Sequence, residues 1–396
     1  MRLVIGGDSL FGPPTGIGHY TSHLVENLVD RSEIEELKLL AYGVLITTAK
    51  AGINSEGNPP NKESGSDGKP SSLFGNIRGM AARNSLMIAA YEKAYAMMAR
   101  WSLRQYGPND VFHSPSFVLP PFPGRRVVTI LDLSTIRFPE HHAASTVTFI
   151  NNHIERAIKH ADHILTISDF VREEIIDHFD YPEEKITTTY LGADESFRPI
   201  SKAEFSSSSF SPELQFKQYF LSVSTIEPRK NLARLLDAYE VYQQQQGSNA
   251  LPLILTGLAG WKSSDIHARL EALQSKGLVR YLGYVSQREL STLFAGARAL
   301  LFPSLYEGFG LPVVEAMKSG TAVITSQASA MAEIAGDAAL YINPSDVSDI
   351  AAKIGELAKN HELENRLVSK CLERANVYSW ARCADLTLNA YKNLAG

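Results

Sequence analysis

The sequence predicts an α/β protein of two doubly wound domains that face each other across one cleft. Three observations carry that expectation. The chain has 396 residues with 44% hydrophobic content, more than a single core usually supports. Apolar β-rich runs alternate with helical patterns almost throughout, which gives parallel sheets covered on both faces. The alternation halts once, at the serine-rich run SKAEFSSSSFSPE, and then starts again. That run is not expected to bury itself, so a boundary is placed there, giving domains 1–200 and 201–377 and a terminal helix 378–396.

In the first series the strands are RLVIGG, LKLLAYGVL, DVFHSP, RRVVTILD, HILTIS and KITTTYLG, with helices from about Ile17 and from Asp169. The second series runs QYFLSVST, LPLILTG, VRYLGY, RALLFPS and TAVITS. Its helices are NLARLLDAYEVYQQQ, Ile266 to Lys276, ELSTLFAGA and PVVEAMKSG, with a short helical stretch after the last strand. Doubly wound sheets bind ligands at the C-terminal ends of their strands, so two in tandem suggest one shared site between domains.

Two segments depart from the alternation. Residues 51–72, rich in Gly, Pro, Ser and charge, should form a loop rather than a folded element. From Asn76 to Tyr106 a helical pattern carries Arg78, Arg83, Lys93, Arg100 and Arg104 against one acid, Glu92, with Met80, Tyr91, Met98 and Trp101 between. Such a helix either packs with a solvated basic side or lies on an anionic bilayer. The overall balance, 38 basic against 43 acidic residues and a net charge of −5, calls for no nucleic acid. Cys371 and Cys383 read as packed or surface thiols, which fits a reducing cytoplasm. The first residues read as a buried strand rather than a signal peptide, and no apolar run is long enough for a transmembrane helix.

The stretch LFPSLYEGFGLPVVEAMKSG carries the most chemistry. Gly308 and Gly310 mark a sharp strand-to-helix turn, and Pro312 suits the first helical position. A helix beginning near Leu311 offers free N–H groups and a positive dipole end, a site for phosphate, and glycine lets the backbone approach a ligand. Glu315 is expected in the first turn and Glu307 just before the glycines, both facing one mouth and suited to accept from sugar or ribose hydroxyls. The plainer alternative is a capped helix whose acids complement its dipole. In STIEPRKNLARLL, Arg229 and Lys230 follow a strand and suit a diphosphate: the guanidinium fork takes two oxygens and the ammonium is a mobile point charge. An exposed basic pair beside Glu227 is the alternative. In PPTGIGHYTSHLVENL, Gly16 and Gly18 precede a helix, and His19 and Tyr20 face either the cleft or that helix's packing surface.

The ordered set Glu307, Gly308, Phe309, Gly310, Pro312, Glu315 matches the E-x7-E signature of family four of the glycosyltransferases, and the chain resembles that family over nearly its whole length. The resemblance implies a GT-B fold, a retaining and metal-independent reaction, and a nucleotide-sugar donor. It implies that Glu307 contacts donor-sugar hydroxyls, that Glu315 contacts the ribose, and that the amides near Phe309, Gly310 and Leu311 hold sugar and phosphate. Gly16, Gly18, Arg229, Lys230, Gly308, Tyr284 and Val285 complete the expected donor site, and His19, Tyr20, Asp132 and Ser134 the expected acceptor side. Arg229, Lys230, Glu307 and Asp132 are the expected catalytic groups. The sequence departs from the family at Leu131, where a histidine is usual; leucine neither takes a proton nor bonds a hydroxyl, which leaves Asp132 to orient the acceptor or to cap the next turn.

The resemblance implies that no metal or other cofactor is needed, and the sequence agrees on one point: it contains no Asp-x-Asp, the metal-diphosphate motif of the other main glycosyltransferase architecture. The wording LDLSTIRFPEHH and TGLAGW resembles bacterial mannosyl- or rhamnosyltransferases that build lipopolysaccharide or exopolysaccharide from GDP-sugars. A GDP-hexose, mannose first, is the expected donor, with a UDP-glucose-dependent enzyme second. The expected partners are this donor and a glycan or lipid-linked glycan acceptor, at the inner face of the cytoplasmic membrane if helix 76–106 meets it. A hydrolase would need two carboxylates flanking a scissile bond, and a nucleotide- or carbohydrate-binding protein without catalysis is the non-enzymatic rival.

Overall fold

The computed structural model describes residues 1–11, 15–48, 85–210, 213–258, 260 and 264–395, with backbone alone at 85–92, 264 and 265. The expected loop 51–72 and the helix start at 76–84 lie outside the described residues.

The first sheet contains β1 (Arg2–Gly6), β2 (Glu36–Ala41), β3 (Val44–Thr47), β4 (Val111–Ser114), β5 (Arg125–Ile130), β6 (His163–Thr166) and β7 (Ile186–Thr188), in spatial order β3-β2-β1-β4-β5-β6-β7. Every pair is parallel except β2 with β3. LKLLAYGVL is therefore two strands rather than the single one its apolar run suggests. Tyr42 and Gly43 take φ of 50° and 80°, the paired positive values of a two-residue hairpin turn, and Ala41 pairs with Val44 across it.

The second sheet contains β8 (Phe220–Val223), β9 (Leu253–Thr256), β10 (Val279–Tyr281), β11 (Ala299–Phe302), β12 (Ala322–Ser326) and β13 (Ala339–Ile342), all parallel, in order β10-β9-β8-β11-β12-β13. The last strand, ALYI, is too short to stand out by alternation. Strand order reverses between β1 and β4 in one sheet and between β8 and β11 in the other. At such switch points neighbouring loops splay apart and leave a crevice. The loops that follow β8 and β11 are the ones that carry Arg229, Lys230 and Glu307.

The serine run is not wholly unburied. Ser201 caps a short helix, Lys202–Ser206, whose Phe205 is buried between Phe216 and Tyr219. One aromatic ring among small polar residues is enough to dock the turn, since burying a Phe is worth about 1.5–3 kcal/mol.

The helix Trp380–Ala395 crosses back to the first sheet's domain, with Ser379 Oγ accepting from the Arg382 N–H. Trp380 stacks on His23 at 4.6 Å, and Lys392 and Asp385 pair with Glu33 and Arg31. Beneath them, Tyr391 Oη lies 2.6 Å from His113 Nδ1, while Thr129 Oγ1 lies 2.7 Å from His113 Nε2 and 2.9 Å from Tyr20 Oη. Burial lowers the His113 pKa to about 3, so the ring is neutral, one nitrogen donating and the other accepting.

Candidate active site

The loops after β8 and β11 are stitched together before any ligand is considered. Pro228–Lys230 forms a single 3-10 turn closed by Asn231, whose φ is 60°; asparagine tolerates this left-handed conformation better than most residues. The Asn231 amide donates to the carbonyls of Pro303 and Pro344 at 3.1 and 2.7 Å, and the Leu305 N–H donates to Arg229 O at 2.9 Å. On that frame Arg229 donates to Glu227 and Glu307, each at 2.8 Å, and to the Tyr306 carbonyl at 2.7 Å. Lys230 donates to the other Glu307 oxygen at 2.6 Å. Arg229 and Lys230 are therefore not the exposed basic pair that was the alternative.

Glu307 is 7% exposed. Burial alone would raise its pKa, but Arg229 and Lys230 outweigh burial and bring it to about 2. Burial raises the Glu227 pKa as well, against Arg229 and Lys230. The guanidinium still has its buried Nε–H without an acceptor among the described residues, a donor that costs about 1–3 kcal/mol until an oxygen reaches it.

The N-terminal domain is sealed onto this loop. A Cβ at Gly308 would run into the carbonyl oxygen of Leu131 and lie 2.9 Å from Asp132 Cβ. Ser168 Oγ donates to Gly308 O at 2.6 Å. Tyr306 Oη accepts from the Leu133 N–H at 3.1 Å and donates to Glu174 at 2.5 Å, while Arg137 holds the second Glu174 oxygen at 2.8 Å. Glu333, from the second domain, accepts the Asp169 and Phe170 N–H groups at 2.8 Å each, where a carboxylate also complements a helix dipole. Asp132 caps the turn that follows β5. Its Oδ1 accepts from the Ser134 N–H at 2.9 Å, and its charge raises the pKa of Arg229 across the seam, after Glu307, against burial.

Two expectations about the glycine turn need correction. Gly308 is required by the approach of Leu131 rather than by open space for a ligand. Gly310 has φ of 96°, and a Cβ there would meet the Met331 methyl. The helix Leu311–Lys318 does begin where expected, with Pro312 in its first turn, but Glu315 falls in the second turn, not the first. The Phe309 side chain is buried edge-on against Tyr378, so only its backbone is available to a donor.

Glu315 also lies in a different electrical setting from Glu307. Burial, reinforced by Asp194, raises its pKa to about 8, although part of the residue's surface remains accessible. A protonated carboxyl can donate as well as accept. The sign of the linkage follows. The folded state keeps a proton that the unfolded state releases above the usual 4.5, so stability falls as pH rises from about 4.5 to about 8. Glu315→Gln should abolish that decline, and denaturant midpoints of the two proteins across this range will show it.

The remaining expected residues divide. Thr15 caps the helix Gly16–Leu28, a Cβ at Gly16 would meet nothing within 4 Å among the described residues, and a Cβ at Gly18 would be 3.0 Å from Ser9 O. His19 is exposed on this helix, with its ring 6.5 Å from His23. Tyr20 is not on the acceptor side: it is 1% exposed and held by Thr129 in the core, because the first helix needs an apolar face against the sheet. Ser134 is buried as well. Tyr284 is 60% exposed, at the end of β10, with Val285 half-buried beside it. Tyr306, Asn231, Glu174 and Glu333 belong to the site's frame, and local spacing does not single them out, because each acts on a loop far away in the chain.

Two Rossmann-like domains thus enclose the site, one presenting a buried cation pair at its switch point and the other sealing onto the adjoining glycine turn. Residues 207–373 match the family described as Glycosyl transferases group 1. The chain is 36% identical over 394 residues, covering 100% of both, to an O-antigen chain mannosyltransferase B of Escherichia coli. It is 28% identical over 221 residues, 56% of this chain and 57% of the other, to O-antigen chain mannosyltransferase RfbU of Salmonella typhimurium. Among solved structures, HepE of Anabaena in complex with UDP and glucose superposes with a TM-score of 0.69 at 16% identity, covering 98% of each chain. The chain belongs to the group 1 glycosyltransferases.

Proposed function

We propose that this enzyme is a retaining mannosyltransferase that moves mannose from a GDP-sugar to a glycan or lipid-linked glycan in O-antigen-type polysaccharide assembly. The observation that carries the reading is the cluster in which Arg229 and Lys230 are both held on Glu307 at the switch point of the second sheet. In this reading the two cations and the N-terminal end of the helix Leu311–Lys318 stabilise the charge that grows on the departing nucleoside diphosphate, in place of a metal ion. Glu307 fixes the cations and meets the donor sugar's hydroxyls. Asp132 reaches the acceptor from the other side of the seam, and the acceptor attacks from the face that the diphosphate leaves, with a donor phosphate oxygen taking its proton.

The mannosyl choice is supported by the 36% identity to a mannosyltransferase over the whole chain. UDP-glucose stands second, since HepE was crystallised with UDP and glucose. Tyr284, exposed at the end of β10, is the side chain available to a nucleobase. A lipid-linked acceptor would bring turnover to the inner face of the cytoplasmic membrane. Incubation with GDP-mannose should release GDP only when a mannan-type acceptor is added, and GDP should raise the melting temperature more than UDP does, because a ligand bound only by the native state stabilises it. A shift with UDP and none with GDP would reverse the choice of base. GDP released without acceptor would mark a hydrolase.

A further inference from the structure

We propose that the outward stripe of the helix Ser85–Leu103 is a docking surface for an anionic lipid bilayer. The helix has two unlike faces. Inward, Ala99 and Leu103 are buried, Met98 lies against Gly43 in the hairpin turn, and Ser102 Oγ donates to the Gly43 carbonyl at 2.8 Å. Outward, Lys93, Met97, Arg100, Trp101 and Arg104 succeed one another at spacings of four, three, one and three residues, one side of a helix, and all five are exposed.

Met97 is 70% and Trp101 66% exposed, the two most exposed large apolar side chains among the described residues. Val44, 52% exposed, opens the edge strand β3 on which this helix packs. The Arg104 guanidinium lies 4.6 Å over the Trp101 ring. From residue 93 to 108 the sequence contains no Asp or Glu, in a chain whose net charge is −5.

Ordinary surface helices turn Trp and Met inward and cations outward. Here one side carries both, so whatever covers it must be apolar in depth and anionic at its rim. A bilayer with anionic headgroups has that layering: Trp and Met enter the headgroup–acyl boundary while Lys and Arg extend to the phosphates. A protein partner could bury Trp101, but it would need acids matched to three separate cations. The proposal rests on the membrane setting of the lipid-linked acceptor given above, and it adds the surface that makes the contact.

The test is sedimentation of the full-length protein with vesicles of phosphatidylethanolamine and phosphatidylglycerol, against vesicles of phosphatidylcholine. The protein should pellet with the first and not the second, and salt should release it. The double variants Met97→Ser with Trp101→Ser, and Arg100→Glu with Arg104→Glu, should each lower vesicle binding about tenfold or more, with melting temperature and transfer to a water-soluble acceptor unchanged. Equal binding to both vesicle types, no binding, or variants that bind as the parent does would overturn the proposal. So would self-association that the variants abolish in a protein that ignores vesicles. Anionic-vesicle binding by a protein inactive on every acceptor would uphold this surface and count against the mannosyltransferase reading.

Discussion

Arg229→Ala should lower kcat/KM about a hundredfold, the effect of removing about 3 kcal/mol of transition-state charge stabilisation. The size follows from what the guanidinium does in the structure. It is the only side chain described as bridging Glu227 and Glu307, and it also takes the Tyr306 carbonyl. Its removal leaves Glu227 with no direct cation and Glu307 with Lys230 alone. A buried acid that loses its partner takes up a proton or costs stability, so the variant should also unfold at lower denaturant. The two effects separate in Arg229→Lys. Lysine restores a positive charge but not the fork, so stability should recover more than the rate. Steady-state kinetics with donor and acceptor each varied while the other saturates, beside denaturant curves, will show the split, and a kcat/KM equal to the parent's in Arg229→Ala would remove this residue from the mechanism.

The legible parts of this molecule are those whose cause is local. The parallel sheets follow from short β-rich runs between helices, and the helix start at Leu311 follows from Pro312 after two glycines. Arg229 and Lys230 are legible as a pair because they follow a strand end. What local pattern cannot express is which distant group each residue meets. Tyr20 has the same helical spacing whether it faces a cleft or the sheet, and only the proximity of Thr129, more than a hundred residues away, decides it. The hairpin at Tyr42 and Gly43 reads as continuous strand, since Tyr is apolar enough to extend either run. Phe205 is hidden by the serines around it. The glycine turn is the sharpest case. Its residues are legible, but their reason is not, because the group that forbids a side chain at position 308 belongs to the other domain.

Gly308→Ala tests that seam directly. The added methyl would collide with the Leu131 carbonyl, which is backbone and has no rotamer by which to move aside. Relief must come from the two domains parting locally, which stretches the Ser168 bond to Gly308 O and the Leu133 bond to Tyr306. Asp132 then withdraws from Arg229. Misplacement of reacting groups by about 1 Å costs on the order of a hundredfold in rate, so kcat should fall by about that factor. Arg229, Lys230 and Glu307, the groups proposed to hold the donor, lie wholly in the second domain, so GDP should raise the melting temperature of the variant as much as that of the parent. Gly310→Ala supplies the contrast. Its strain is a positive φ and a clash with Met331 in the same domain, so it should lower stability by about 1–3 kcal/mol and weaken nucleotide binding together with rate. If Gly308→Ala instead loses nucleotide binding and stability in the way of Gly310→Ala, the glycine belongs to the donor pocket and not to the seam between domains.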